Sequence, residues 1–288
     1  HGLVYNLGER VEGYTNFLWT VLAALVLWLG GDISWWAYVA GMLLGLLIVL
    51  LSFKLGAYLL GEGWGLVTAL IVASNQGVLI YTARGAGLET GLFTFLLLAG
   101  LYMILRGHAS AAILLALATL TRPEGALVFA ICLGFGIVNA RIKTKPIFKT
   151  QNKVETQHLV SLPMHLSSFI MAYIVIVLPY FLWRLSYYGD LLPNTFYAKT
   201  GGGTQAILRG LEYASGFVLA MGGIFLLFAI VPILGRTKSA MLSRMLGWQG
   251  IMLAVCAAYA LYIVRVGGDH FPAQRFFVPL VPWLAVLV

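Results

Sequence analysis

Apolar stretches about as long as a bilayer crossing recur along this chain, near 34–55, 64–80, 88–106, 109–121, 124–140, 162–185, 213–234, 246–264 and 277–288. A hydrocarbon core about 30 Å thick asks for roughly 20 apolar residues per helix, and it admits only segments that pair their own backbone groups. The pattern predicts an all-α, polytopic transmembrane protein with about nine membrane helices. Of its 288 residues, 61% are hydrophobic and 10% charged, whereas soluble domains run nearer one half and one quarter. The net charge of +8 is therefore no sign of a nucleic-acid partner; the lipid bilayer is the expected surrounding. Cys132 and Cys256 both fall in apolar segments, so no disulfide framework is implied. A further stretch, 16–29, has 14 residues and reaches only about 21 Å as a helix. It is expected to lie along the membrane surface without crossing. The chain begins at His1 and ends within an apolar run, and is expected to be one module cut at both ends.

Basic residues concentrate in cytoplasmic loops. Loop 140–158 carries Arg141, Lys143, Lys145, Lys149 and Lys153, and loop 235–244 carries Arg236, Lys238 and Arg244. Two predicted spans separate them, so both can face the cytoplasm. The opposite, outer face then collects most acids, among them Glu12, Glu89, Glu124 and Asp269, together with Arg84, Arg122, Lys199 and Arg275. Ionisable groups at membrane depth mark functional sites unless they pair for structural reasons, and their shared sidedness predicts one converging polar site.

Each constellation has a second reading. Before the short helix, Glu12, Tyr14 and Asn16 suit a sugar pocket or an ordinary interfacial loop, with Thr15 or Asn16 as N-cap. Arg84 and Glu89 in "TARGAGLETG" suit a ligand or an internal salt bridge. In "TLTRPEGAL", Glu124 sits in a first helical turn, where an acid complements the helix dipole. Arg122 beside it offers a fork of donors matched to phosphate oxygens. In "YGDLLPNTFYAKTGGG", Asn194, Tyr197 and Lys199 suit carbohydrate or any solvated loop. In "GGDHFPAQRFFVP", Asp269 and His270 form a candidate acid/base or metal pair, or simply a loop histidine beside an acid. Arg275 opens the last helix and is a second phosphate candidate. No G-x-S-x-G, H-E-x-x-H or C-x-x-C occurs. No cofactor follows from the sequence, and a divalent metal is left open.

As an ordered set, "HGLVYNLGERVEGYTNFLW", "GLETGLF", "TRPEGALVF", "LLPNTFYAK" and "GGDHFPAQRFFVPLVP" resemble the GT-C-type polytopic glycosyltransferases of bacteria, in particular the mycobacterial terminal arabinofuranosyltransferase group. The resemblance implies inverting transfer of a sugar from a polyprenyl-phosphate carrier to a glycan or lipid acceptor of the cell envelope. The reaction would take place on the periplasmic or extracellular face of the cytoplasmic membrane. It implies a surface-lying helix in the first outer loop, basic residues on the lipid phosphate and an aspartate as general base. In the family the acidic pair lies just upstream of the "HGLVYN" motif, so the main base is expected before His1, with Asp269 as substitute. The rival readings are a transporter or flippase of a lipid-linked sugar and an inactive scaffold relative.

Overall fold

The computed structural model describes residues 4, 8–83, 87–143, 166–191, 194, 203–220 and 247–287. They form helices, those from α1 to α7 joined by short turns. The first helix, α1 (Phe17–Trp28), has 12 residues. It is about 18 Å long, too short to cross, in keeping with the reading of segment 16–29. Asn16 does take the N-cap position, but its side chain makes no capping bond; it is drawn elsewhere, as described below.

Helix α2 (Ile33–Leu60) starts where the Asp32 side chain accepts from Trp35 N, satisfying one of the orphan donors of a first turn. It runs 28 residues, about 42 Å. Helix α3 (Glu62–Ser74) turns back along it through small residues. A Cβ added at Gly65 would stand 2.7 Å from Phe53 O, so the two backbones meet as closely as small residues allow in membrane helix pairs. The predicted span 64–80 is one apolar run but two helices. Asn75 ends α3 and caps α4 (Gln76–Thr82) by accepting from Val78 N, and the two are bent by 65°. A short polar side chain that competes for backbone donors accounts for the break.

Helix α5 (Thr90–Leu105) is the centre of the core: Phe93, Leu97, Leu98, Leu101 and Ile104 have no exposed surface. It packs against α2, against α6 (Ala111–Thr121) and against a 3-10 segment, Pro272–Leu280. Helix α7 (Glu124–Lys143) follows α6 after a tight turn, and α8 (Leu166–Tyr188) covers α6. Helix α9 (Gly203–Ala220) packs on α10 (Trp248–Val266), and α11 (Val281–Leu287) continues from the 3-10 segment. Large apolar side chains stay outward along α2 and α8, such as Leu43 at 57% and Val175 at 62% exposed. Such faces suit a lipid solvent, whose tails are as apolar as leucine.

Among the described residues, helix length does not supply nine crossings. Three helices there, Ile33–Leu60, Leu166–Tyr188 and Trp248–Val266, are long and apolar enough, and the bent pair α3–α4 would make a fourth. Thr90–Leu105, Ala111–Thr121 and Pro272–Leu287 are apolar but shorter. Predicted span 213–234 is described only to Ala220, and most of both basic loops lies outside the described residues.

Candidate functional site

Three turns bring charge to one place. Between α6 and α7, Arg122 takes an extended conformation (φ −153, ψ 136), the geometry expected before a proline. Pro123 continues the turn, and Glu124 starts α7. The turn closes because residue 125 has no side chain: a Cβ there would lie 2.5 Å from Thr119 N. The second turn puts Glu89 at the N-cap position of α5. The third follows α10, where Asp269 precedes a segment containing two left-handed non-glycine residues, Ala273 (φ 55) and Gln274 (φ 43). Such strain persists only where surroundings over-determine it. Here the Tyr81 hydroxyl holds Pro272 O at 2.7 Å.

The resulting network is continuous. Arg122 Nη2 lies 3.3 Å from Glu124 Oε1, and Arg122 Nε lies 3.8 Å from Glu89 Oε1. Arg275 Nη1 approaches the same Glu89 oxygen at 3.8 Å, while its Nε donates to Asp269 Oδ2 at 2.7 Å. Asn16 Nδ2 donates to Glu89 Oε2 at 3.2 Å, while its Oδ1, the atom that would cap the helix, accepts from Thr20 Oγ1 at 3.2 Å. Tyr213 donates to Asp269 Oδ1 and accepts from Phe276 N. The Phe276 ring lies between the two cations, 4.6 Å from Arg122 and 5.3 Å from Arg275, at cation–π distance. Arg122, Glu89, Glu124 and Arg275 are all buried. Three carboxylates against two guanidiniums leave a formal charge of −1. Among the described residues, Arg122 Nη1 and Glu124 Oε2 are buried without a hydrogen-bond partner.

A second cluster stands apart from this one. Arg184 Nε donates to Glu12 Oε2 at 2.7 Å, and Arg184 Nη1 donates to Leu191 O at 2.8 Å. Glu12 and Arg184 are each 3% exposed. Burial pushes the Glu12 carboxyl above the usual carboxylate range, outweighing the Arg184 guanidinium that pulls it down. Tyr188 donates to the Tyr14 hydroxyl at 3.1 Å. Loop 8–16 links the clusters, because Glu12 and Tyr14 belong to one and Asn16 to the other.

The structure thus gathers Asn16, Glu89, Arg122, Glu124, Asp269 and Arg275 into one network and sends Glu12 and Tyr14 to another. His270 is exposed beside Asp269, and Asn194 is exposed and joins neither cluster. Arg84, Tyr197 and Lys199 lie outside the described residues. Among the described residues no three His, Cys, Asp or Glu side chains converge as a metal site. Several participants were not singled out from the sequence, among them Arg184, Tyr188, Tyr213 and Phe276. Arg184 had a signal: an arginine inside the apolar helix α8 needs a partner. Tyr213 had none, since tyrosines are common in this chain and only the fold aims this one at Asp269.

These apolar helices around a buried ionic cluster define a helical membrane protein. Comparison with curated proteins finds the terminal β-(1→2)-arabinofuranosyltransferase of Mycobacterium tuberculosis, 27% identical over 332 aligned residues that take in 99% of this chain and 48% of that protein. The chain spans about half the length of this relative. No family model and no solved structure matches.

Proposed function

We propose that the full-length protein is an inverting glycosyltransferase. It moves a sugar from a polyprenyl-phosphate carrier to a glycan or lipid acceptor of the cell envelope, on the outer face of the cytoplasmic membrane. One observation carries the reading: the guanidiniums of Arg122 and Arg275 converge on a single oxygen of Glu89, each at 3.8 Å. These are ion pairs without hydrogen bonds, longer than the roughly 3 Å of a bonded pair. Both cations therefore keep N–H groups for a phosphate oxygen, Arg122 Nη1 among them. The acceptor hydroxyl attacks the anomeric carbon, the bond to the carrier phosphate breaks, and the phosphate leaves with one more negative charge. Arg122 and Arg275 neutralise that charge in a water-poor setting, where fixed donors act most strongly.

Both Asp269 oxygens already accept hydrogen bonds. Its role in this scheme is to position Arg275, and a carboxylate outside these residues takes the hydroxyl proton. The bend at Asn75 favours the second reading, a transporter, since broken helices are common in transporter binding sites.

The test uses full-length protein in lipid nanodiscs with a polyprenyl-phosphate arabinose donor and an arabinan acceptor, alongside vesicles loaded with the same donor. Acceptor labelling that falls about a hundredfold in Arg275→Ala, the scale of a lost charge-stabilising donor, supports transfer. Donor crossing the bilayer without labelling any acceptor would establish the transporter instead. Neither binding nor turnover would leave the scaffold reading.

A further inference from the structure

The end of α8 and loop 8–16 enclose polar and aromatic groups that the ion network does not use. The buried Glu12–Arg184 pair pins a loop onto α8 from 172 residues away. Six aromatic residues pack around it. Phe17 lies 4.4 Å from Tyr180 and 5.6 Å from Trp183. Tyr14 stacks near Phe17 and meets Tyr188 edge-on. Trp183 and Tyr187 lie 5.5 Å apart and only 19° from parallel, an offset stack that makes an aromatic ledge. Trp183 is 38% exposed, and the Arg10 guanidinium rests 5.2 Å above the Tyr187 ring.

The chemistry of this ledge differs from that of the ion network. Glu12 and Arg184 pair with each other beneath the rings. Aromatic residues that anchor a helix in a bilayer interface do so by placing their amphipathic rings among the headgroups. Here the rings pack on one another and on a distant loop, over an ion pair whose Arg184 Nη2 is buried without a hydrogen-bond partner among the described residues. A flat aromatic face beside hydroxyl and guanidinium donors matches a sugar ring, which is apolar on its C–H faces and polar at its rim.

We propose that the Trp183–Tyr187 ledge binds an uncharged oligosaccharide, with sugar C–H faces on Trp183 and hydroxyls on Arg10 and Tyr187. Its use as the acceptor site rests on the transferase reading above. The Glu12–Arg184 pair acts beneath it as a positioning element.

The experiment is saturation-transfer NMR on full-length protein in nanodiscs, with a linear arabinan hexasaccharide and with maltohexaose. Donor binding is measured separately with polyprenyl-phosphate arabinose. Wild type is expected to transfer saturation to at least one glycan. Trp183→Ala should weaken that Kd about tenfold, the scale of one lost aromatic contact, and Trp183→Phe should restore most of it. Donor affinity should stay within about twofold. Unchanged glycan binding in Trp183→Ala would overturn the ledge and leave the transferase reading standing, and so would a wild type that binds donor but neither glycan. A wild type that binds neither donor nor glycan would remove both.

Discussion

Replacing Arg122 by methionine perturbs the network at its hub. The side chain lies 3.3 Å from Glu124 and 3.8 Å from Glu89, with all three residues buried. At an effective dielectric near 20, unit charges at such distances attract by about 4–5 kcal/mol per pair. Most of this is offset by the desolvation of the charges, several kcal/mol per ion. What remains when one partner is removed is the cost of stranded charge. The formal balance moves from −1 to −2, since three carboxylates then face Arg275 alone. Breaking a buried pair in this way costs about 3–5 kcal/mol.

Removing a carboxylate as well should recover part of that loss. Arg122→Met with Glu124→Gln returns the formal charge to −1 and should regain about 2 kcal/mol as a coupling term. The two buried thiols, Cys132 and Cys256, supply the assay, because a thiol-reactive fluorophore reads their exposure as the protein unfolds in detergent. Arg122→Met should unfold well below wild type, and the double variant should fall between them. Equal unfolding of wild type and Arg122→Met would refute the ion-network account. A double variant less stable than the single would refute its charge balance.

Three further outcomes follow from particular contacts. The Glu12 carboxyl is held above its ordinary range by burial, so its contribution is present at low pH and lost as pH rises through the folded-state value. The stability difference between wild type and Glu12→Gln should therefore shrink from about pH 4 to pH 7, and a difference that widens would mean Arg184 outweighs burial. Gly125→Ala forces a Cβ to 2.5 Å from Thr119 N and should cost at least about 1–3 kcal/mol by opening the α6–α7 turn, seen in the same thiol assay. For orientation, Gly201→Cys in intact cells should react with an impermeant maleimide and Thr150→Cys should not; the reverse pattern would invert the membrane topology.

Much of the candidate site was legible as residue types but not as partnerships. Arg122, Glu124, Glu89, Asp269 and Arg275 stand out because charge beside apolar runs is expensive. Their distances depend on where α5, the α6–α7 turn and segment 267–280 come together, and no local pattern carries that. Asn16 reads as an N-cap from its position, yet the carboxylate of Glu89, 73 residues away, is its partner. Tyr213 became part of the site only because α9 packs on α10 and the 3-10 segment.

The apolar runs by themselves determined that the chain is helical and that its outer surfaces suit lipid, because hydrocarbon tolerates no unpaired backbone and hydrophobicity is additive along a segment. Local chemistry likewise fixed the turn at Pro123 and the short reach of segment 16–29. Tertiary structure decided what additive hydropathy cannot: that the 64–80 run bends by 65° at Asn75, and that among the described residues three helices, or four with the bent pair, have the length to cross. It also decided which carboxylate neutralises which arginine. Ion pairing falls steeply with distance and is won or lost over a few ångströms, so it is set by packing between segments far apart in the chain.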